Sequence, residues 1–225
     1  MIGKGKSISH GVAALEYDLA KEINGQAVAT EIARHELYGC TGAEMVQEMK
    51  PYHIDFPNVK NNCLRFEVSP SIEESATFTD ADWAELGNDF MQRMGLANHQ
   101  YIIIRHSGTE SKKEQAHLHI LANRVSLSGE LYRDNWIGKK ATEAANAIAK
   151  ERNFVQSQDI GKVNKAEIKE AMDGVLKKMQ GFDFTKFKEE LGKRGLKSGK
   201  PGQAPGNLTA TMSQPEAVRS IRQAR

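Results

Sequence analysis

Four of the seven histidines, His99, His106, His117 and His119, fall within 21 positions of one another. His117 and His119 are separated by one residue in an apolar run, so on a strand both imidazoles point to the same face. HQYIIIRH (99–106) and HLHILANRV (117–125) read as two apolar strands joined by the polar loop SGTESKKEQA (107–116), and the simplest joining is an antiparallel hairpin. If His106 pairs with His117, then Ile104 pairs with His119 and three imidazoles share one face. A one-residue slip would send His106 to the other side. Three convergent neutral imidazoles with no fourth protein ligand make an open metal site, able to polarise a carbonyl, a water or a phosphoryl oxygen. An isolated H-x-H is more often a pair of ordinary core or surface histidines. Here both strands read as buried on both faces, where unliganded imidazoles would leave donors and acceptors unpaired, and that favours a metal. His99 starts the strand that His106 ends, over about 20 Å away if extended, so it should not serve the same ion. His35 and His53 are assigned no role in the chemistry.

The elements that must position these groups are legible in outline. Val12, Leu15, Leu19 and Ile23 give residues 11–24 a helical period, with Gly25 after its end. Residues 25–62 are punctuated by Gly39, Gly42, Pro51 and Pro57, with a short helix around 42–49. CLRFEVS (63–69) reads as a strand that stops at Pro70. Thr79 opens a capped helix carrying Trp83, Leu86, Phe90 and Met94, closed by Gly95. Beyond Trp136 the pattern is helical: one helix is marked by Ala141, Ala144, Ala145 and Ile148, a second by Ile168, Met172, Val175 and Met179, and a third by Phe184, Phe187 and Leu191, before Gly195. From Lys197 the chain is rich in Gly, Pro and small polar residues, the composition of a flexible tail. Strands and helices mix without βαβ alternation, which predicts an α+β fold with a central antiparallel sheet and flanking helices. The expected division is a metal-binding core over 1–136, a helical segment over 137–196 that completes the domain, and a tail over 197–225.

Composition excludes several classes. The chain has 225 residues, 39% hydrophobic and 27% charged, and no run approaches the roughly 18 apolar residues of a membrane helix. His10, Glu16 and Asp18 interrupt the start, which is unlike a signal peptide. Two cysteines, Cys40 and Cys63, make neither a disulfide framework nor a cysteine zinc site, so a cytoplasmic location without membrane insertion is expected. The net charge of +2 hides an asymmetry. Residues 139–225 carry 18 Lys and Arg against 10 Asp and Glu, and the preceding residues 13 against 19. A basic C-terminal third can supply phosphate-binding surface.

The run from His99 to His106, followed after ten residues by His117-Leu118-His119-Ile120-Leu121-Ala122-Asn123-Arg124-Val125, resembles the three-histidine motif of relaxases, the mobilisation nucleases within the HUH endonuclease class. AALEYDLA fits the family's early aromatic nucleophile, and LRFEVSPS with its capped helix fits the middle motif. The helical stretch 168–197 is similar to the segment that follows the histidines, so the resemblance covers roughly residues 1–196. It implies a DNA strand transferase that nicks one strand of a transfer origin and initiates conjugative mobilisation of a plasmid or integrative element. His106, His117 and His119 would hold a divalent metal, Mg²⁺ or Mn²⁺ in most members, with Zn²⁺ an alternative. Tyr17 would attack the scissile phosphorus to give a 5′-phosphotyrosine and a free 3′-hydroxyl, with His10 as the rival nucleophile. The expected partner is single-stranded or locally melted DNA at the origin, with accessory relaxosome proteins. Arg105, Lys112, Lys113 and Arg124 are candidate DNA contacts near the metal centre.

The sequence departs from the motif at Gly108, where many members carry an acidic residue two positions after the first histidine, and the loop 107–116 is longer than the compact form. Glu67, Glu110 and Glu114 are candidates for the missing acid, which orients an imidazole. A rolling-circle replication initiator or a transposase of the same class would use the same chemistry on a different DNA site. A non-catalytic DNA-binding module would close a structural zinc site with a fourth ligand, and a metal-dependent hydrolase would leave no protein–DNA adduct.

Overall fold

The computed structural model describes residues 1–108, 115–194, 196–198 and 208–210. The chain divides into two compact units, residues 1–156 and 157–225.

In the first unit, β1 (Ile2–Ile8), β4 (Ala29–His35), β5 (Cys63–Ser69), β6 (His99–His106) and β7 (His117–Ser126) form one antiparallel sheet. Its order is β1-β5-β7-β6-β4, with β7 at the centre. The register of β6 on β7 pairs His106 with His117 and Ile104 with His119, as the alternation required. A slip near Tyr101 is absorbed at the far end of the hairpin. The sheet is therefore α+β in the expected sense, antiparallel and flanked by helices.

Helices cover both faces. On one, α4 (Asp80–Arg93) and α5 (Ile137–Glu151) pack on Phe66, Val68, Ile103, Leu118 and Ile120 through Trp83, Leu86, Phe90, Ala141, Ala145 and Ile148. On the other, α1 (Gly11–Leu19) and α2 (Gly42–Met49) bury Leu15, Met45 and Met49 against Cys63, Ile102, Ile104 and Leu121. Both middle helices are held at their starts by reciprocal side-chain caps, Thr41 with Glu44 on α2 and Thr79 with Asp82 on α4. A short 3₁₀ helix, Lys50–His53, follows α2, and a single helical turn, α3 (Ile72–Ser75), follows β5.

Several elements differ from the sequence expectation. The first helix stops at Leu19 rather than residue 24, because Asn24 and Gly25, both at positive φ, turn a small hairpin between β2 (Glu22–Ile23) and β3 (Gln26–Ala27). Asn-Gly is the strongest two-residue hairpin signal, and it outweighs the single helical-period match at Ile23. The strands β1 and β4 edge the sheet on its two sides and carry Gly, Lys, Thr and Arg among their apolar residues, so neither forms an apolar run. Helix α5 lies in the first unit. Its small residues fit on the glycine side of β1: a Cβ at Gly3 would lie 2.4 Å from the Ala141 carbonyl oxygen and 2.6 Å from Ala145 Cβ.

The second unit contains α6 (Ser157–Leu176) and α7 (Phe184–Lys193), around a small core of Val175, Phe187, Leu191 and Leu196. Asp183 caps α7 by accepting from the amides of Thr185 and Lys186. Leu196–Ser198 (β8) pairs antiparallel with Leu208–Ala210 (β9), so part of the expected tail forms a two-stranded ladder. The rest of that tail lies outside the described residues.

Candidate active site

The site is built where the β6–β7 hairpin meets the C-terminal end of α1. His106 and His117 form the last pair of the hairpin, and His119 follows on the same face of β7. One nitrogen from each of the three rings lies within 4.8 Å of the others. His117 Nε2 and His119 Nε2 are 3.1 Å apart. Bonds of about 2.1 Å from a shared ion would put neighbouring imidazole nitrogens roughly 3 Å apart, so the donor set fits a divalent metal. Burial pushes His106 down from its ordinary value, and burial together with the two neighbouring imidazoles pushes His119 down to about 2. Both rings are therefore neutral at physiological pH, the form that ligates.

Two residues that the sequence reading passed over complete the site. Asp18, next to Tyr17 at the end of α1, has only 1% of its surface exposed. Its backbone carbonyl accepts a 2.7 Å hydrogen bond from His106 Nε2, a tautomer that leaves the lone pair on Nδ1. Its carboxylate takes a two-point ion pair from Arg65, at 3.1 and 2.5 Å, and lies 3.9 Å from His119 Nδ1. Arg65 Nη2 is itself 3.4 Å from that nitrogen. Burial pushes the Asp18 carboxyl upward, and the Arg65 guanidinium opposes the shift. A buried carboxylate with a guanidinium partner, behind a histidine, is what normally fixes a ligating ring. The sequence signal for it was an acid inside an otherwise apolar helical face, since Asp18 follows Leu15 by three positions.

Tyr17 lies on the exposed side of α1, 56% accessible, and its hydroxyl accepts a 2.6 Å hydrogen bond from Lys21 Nζ. The Lys21 charge also bears on His106. The helix thus presents Tyr17 outward while the next residue is locked beneath the histidines. His10 sits at the opposite end of α1. A helical rise of eight residues places it about 12 Å from Asp18 along the axis, beside Gly11, which packs on Cys63.

Among the acidic candidates, Glu67 lies opposite His119 on β5 and pairs with Lys4 at 3.0 Å. Glu110 and Glu114 lie outside the described residues, as do Lys112 and Lys113. The two arginines are engaged within the protein. Arg105 points away from the histidines, by strand alternation, and binds Asp80 and Thr30. Arg124 binds Asp134 at 2.6 Å and the carbonyls of Asn61 and Tyr132. Its neighbour Asn123 is fully buried and ties His53, Gln100 and the Met49 carbonyl to β7. His99 bonds the Asn123 carbonyl at the far end of the hairpin, so His53 and His99 are structural. Basic groups do reach the site from β1 and β5. A cleft of about 220 Å³ is lined by Lys4, Gly5, Lys6, Arg65, Phe66, Glu67 and His119.

The model of the MobA/VirD2-like relaxase nuclease domain matches residues 17–154, beginning at the tyrosine and spanning the whole histidine hairpin. The chain belongs to that relaxase family, and the domain is a DNA-nicking endonuclease. Among solved structures it is similar to the conjugative relaxase TrwC in complex with origin-of-transfer DNA. The metal-free form aligns at 10% identity with a TM-score of 0.43, and the metal-bound form at 11% with a TM-score of 0.41. Both alignments cover 99% of this chain and 96% of the other. No curated protein matches the chain. Among the described residues, no helix is long and apolar enough to cross a membrane.

Proposed function

We propose that this relaxase nicks one strand of a transfer origin through a covalent tyrosyl intermediate and so starts mobilisation of a plasmid or integrative element. The observation that carries the reading is the junction of Tyr17 and Asp18: one residue is presented to solvent while the next is bonded into the three-histidine cluster. The Tyr17 oxygen attacks the scissile phosphorus, the new bond is O–P, and the P–O3′ bond breaks. The phenolic proton is given up and the departing 3′ oxygen takes one, leaving a 5′-phosphotyrosine and a 3′-hydroxyl. The phosphodiester energy is kept in the protein–DNA bond, so the strand can be rejoined. His106, His117 and His119 are the residues that would hold the divalent ion, Mg²⁺, Mn²⁺ or Zn²⁺. Such an ion, when bound, supplies positive charge to a non-bridging phosphate oxygen as negative charge builds there.

Asp18 and Arg65 act as positioning residues. They hold His119, and the Asp18 carbonyl holds His106, the role that an acid at position 108 plays in many members. Lys21 orients the Tyr17 hydroxyl. The placement of His10 at the other end of α1 supports Tyr17 as the nucleophile. A structural zinc needs four donors, and the cluster among the described residues offers three. The proposed setting is cytoplasmic DNA, with accessory proteins of the relaxosome supplying a melted origin.

The test is incubation with labelled single-stranded oligonucleotides carrying candidate origins, with Mn²⁺ or EDTA, resolved on a denaturing gel. The expected result is a metal-dependent protein band that gains the DNA label and is lost in Tyr17→Phe but kept in His10→Ala. Cleavage without an adduct would identify a hydrolase. Loss only in His10→Ala would move the nucleophile.

A further inference from the structure

Trp136 is 81% exposed, the most exposed of the large hydrophobic side chains among the described residues. Its backbone is left-handed, at φ 59° and ψ 28°, a conformation that bulky L residues rarely adopt. Burial of the ring does not offset that strain, and strained backbone of this kind concentrates where ligands bind. Its location is specific. Gly138, two residues on, brings the first turn of α5 against β1, with an ideal Cβ 3.5 Å from the Gly5 carbonyl oxygen. Gly5 lies between Lys4 and Lys6, whose side chains enter the cleft that ends at Arg65 and His119. The surroundings are cationic. Lys6 and Arg133 are exposed and have no ion-pair partner among the described residues, and Lys140 lies 4.9 Å over the Tyr132 ring.

We infer that Trp136 is a stacking platform for an unpaired base of the strand whose phosphates follow Lys4 and Lys6 toward the histidines. The inference rests on the relaxase reading and deepens it, by adding a binding subsite beyond the β1 edge of the cleft. A strand seated over the cleft that continues across this edge strand reaches the side of the sheet on which α5 begins, where the indole is exposed. Single-stranded DNA is the occupant the chemistry favours. An indole face accepts any unstacked base, while base pairs in a duplex hide those faces, and the adjacent lysines and arginine neutralise phosphates without reading sequence.

Fluorescence provides the test, because the second tryptophan, Trp83, is 2% exposed and iodide will quench Trp136 selectively. An oligothymidylate of about 15 nucleotides should shield Trp136 from iodide, and a duplex of the same length should not. Trp136→Ala should bind the oligonucleotide about tenfold more weakly by anisotropy, and Trp136→Tyr should restore most of the affinity. Trp136→Gly, which suits the left-handed backbone, should unfold at the same temperature as the wild type or higher and still bind weakly. That variant separates loss of the ring from loss of the fold. Unchanged iodide access with the oligonucleotide bound, undiminished binding by Trp136→Ala, or equal shielding by the duplex would overturn the inference. In each of those cases the Tyr17 adduct would still form if the relaxase reading is right. Absence of both adduct and oligonucleotide binding in the wild type would overturn both.

Discussion

The Asp18 carbonyl and the His106 ring are joined by a 2.7 Å hydrogen bond across 88 positions of sequence. That bond, with the Asp18–Arg65 ion pair beside it, fastens the end of α1 to the mouth of the β6–β7 hairpin. Tyr17, the proposed nucleophile, and the three histidines therefore share one support.

Asp18→Asn should damage stability and activity together. It removes the charge that compensates a largely buried guanidinium, at a cost of about 3 kcal/mol, while leaving the backbone carbonyl on His106. Thermal unfolding should show a clear drop in Tm, and adduct formation should fall by about tenfold or more, as for other groups that orient metal ligands. An unchanged Tm would mean that the ion pair contributes nothing net.

Each histidine of the cluster should matter to ion binding. His119→Ala should weaken Mn²⁺ or Zn²⁺ binding, followed by calorimetry, by roughly 100-fold or more, and His99→Gln should leave it unaltered. EDTA should abolish the covalent adduct and leave oligonucleotide binding largely intact, because phosphate contacts made by lysines need no metal. Equal effects of His99→Gln and His119→Ala would contradict the assignment of ligands.

Acid should destabilise the fold in part through His99. Burial lowers its proton affinity, against a weaker raising effect from the Asn123 carbonyl. The folded protein then binds fewer protons than the unfolded chain once pH falls below the ordinary histidine value of 6.5. Stability is fully present above that value and is lost as pH drops toward the lowered folded value. Urea midpoints at about pH 7.5 and 5.5 should fall less with acid in His99→Gln than in the wild type. An identical fall would show that His99 does not titrate across folding.

Gly3→Ala should be costly although the change is one methyl group. The added Cβ would meet the Ala141 carbonyl oxygen at 2.4 Å, and helix backbone cannot step aside as a flexible side chain can. A loss of about 1–3 kcal/mol in urea unfolding is expected. Wild-type stability would mean that α5 can slide on β1.

The hairpin and its histidines were readable in the sequence because strand alternation is a local rule. Once HQYIIIRH and HLHILANRV are strands, pairing His106 with His117 brings His119 to the same face. The caps at Thr41 and Thr79, and the apolar stripe from Trp83 to Phe90, are local in the same way. The hairpin at Asn24-Gly25 was also within reach, since its signal is two residues long.

What lay beyond local rules was decided by packing. Nothing near Asp18 in the chain predicts Arg65, 47 positions away, or that α1 lies across the sheet with its C-terminal end under His119. That placement depends on close approaches such as Gly11 on Cys63 and Gly42 on Leu15, which join residues distant in sequence. The arginines of the motif region show the converse. Arg105 and Arg124 look free for DNA as letters, and the fold spends them on Asp80 and Asp134. Sequence alone thus determined that three histidines would converge at one end of a hairpin, because residue type and period are one-dimensional properties. Only the tertiary structure decided which acid supports them and which cations stay open to DNA, because burial and ion pairing depend on neighbours that the chain order does not name.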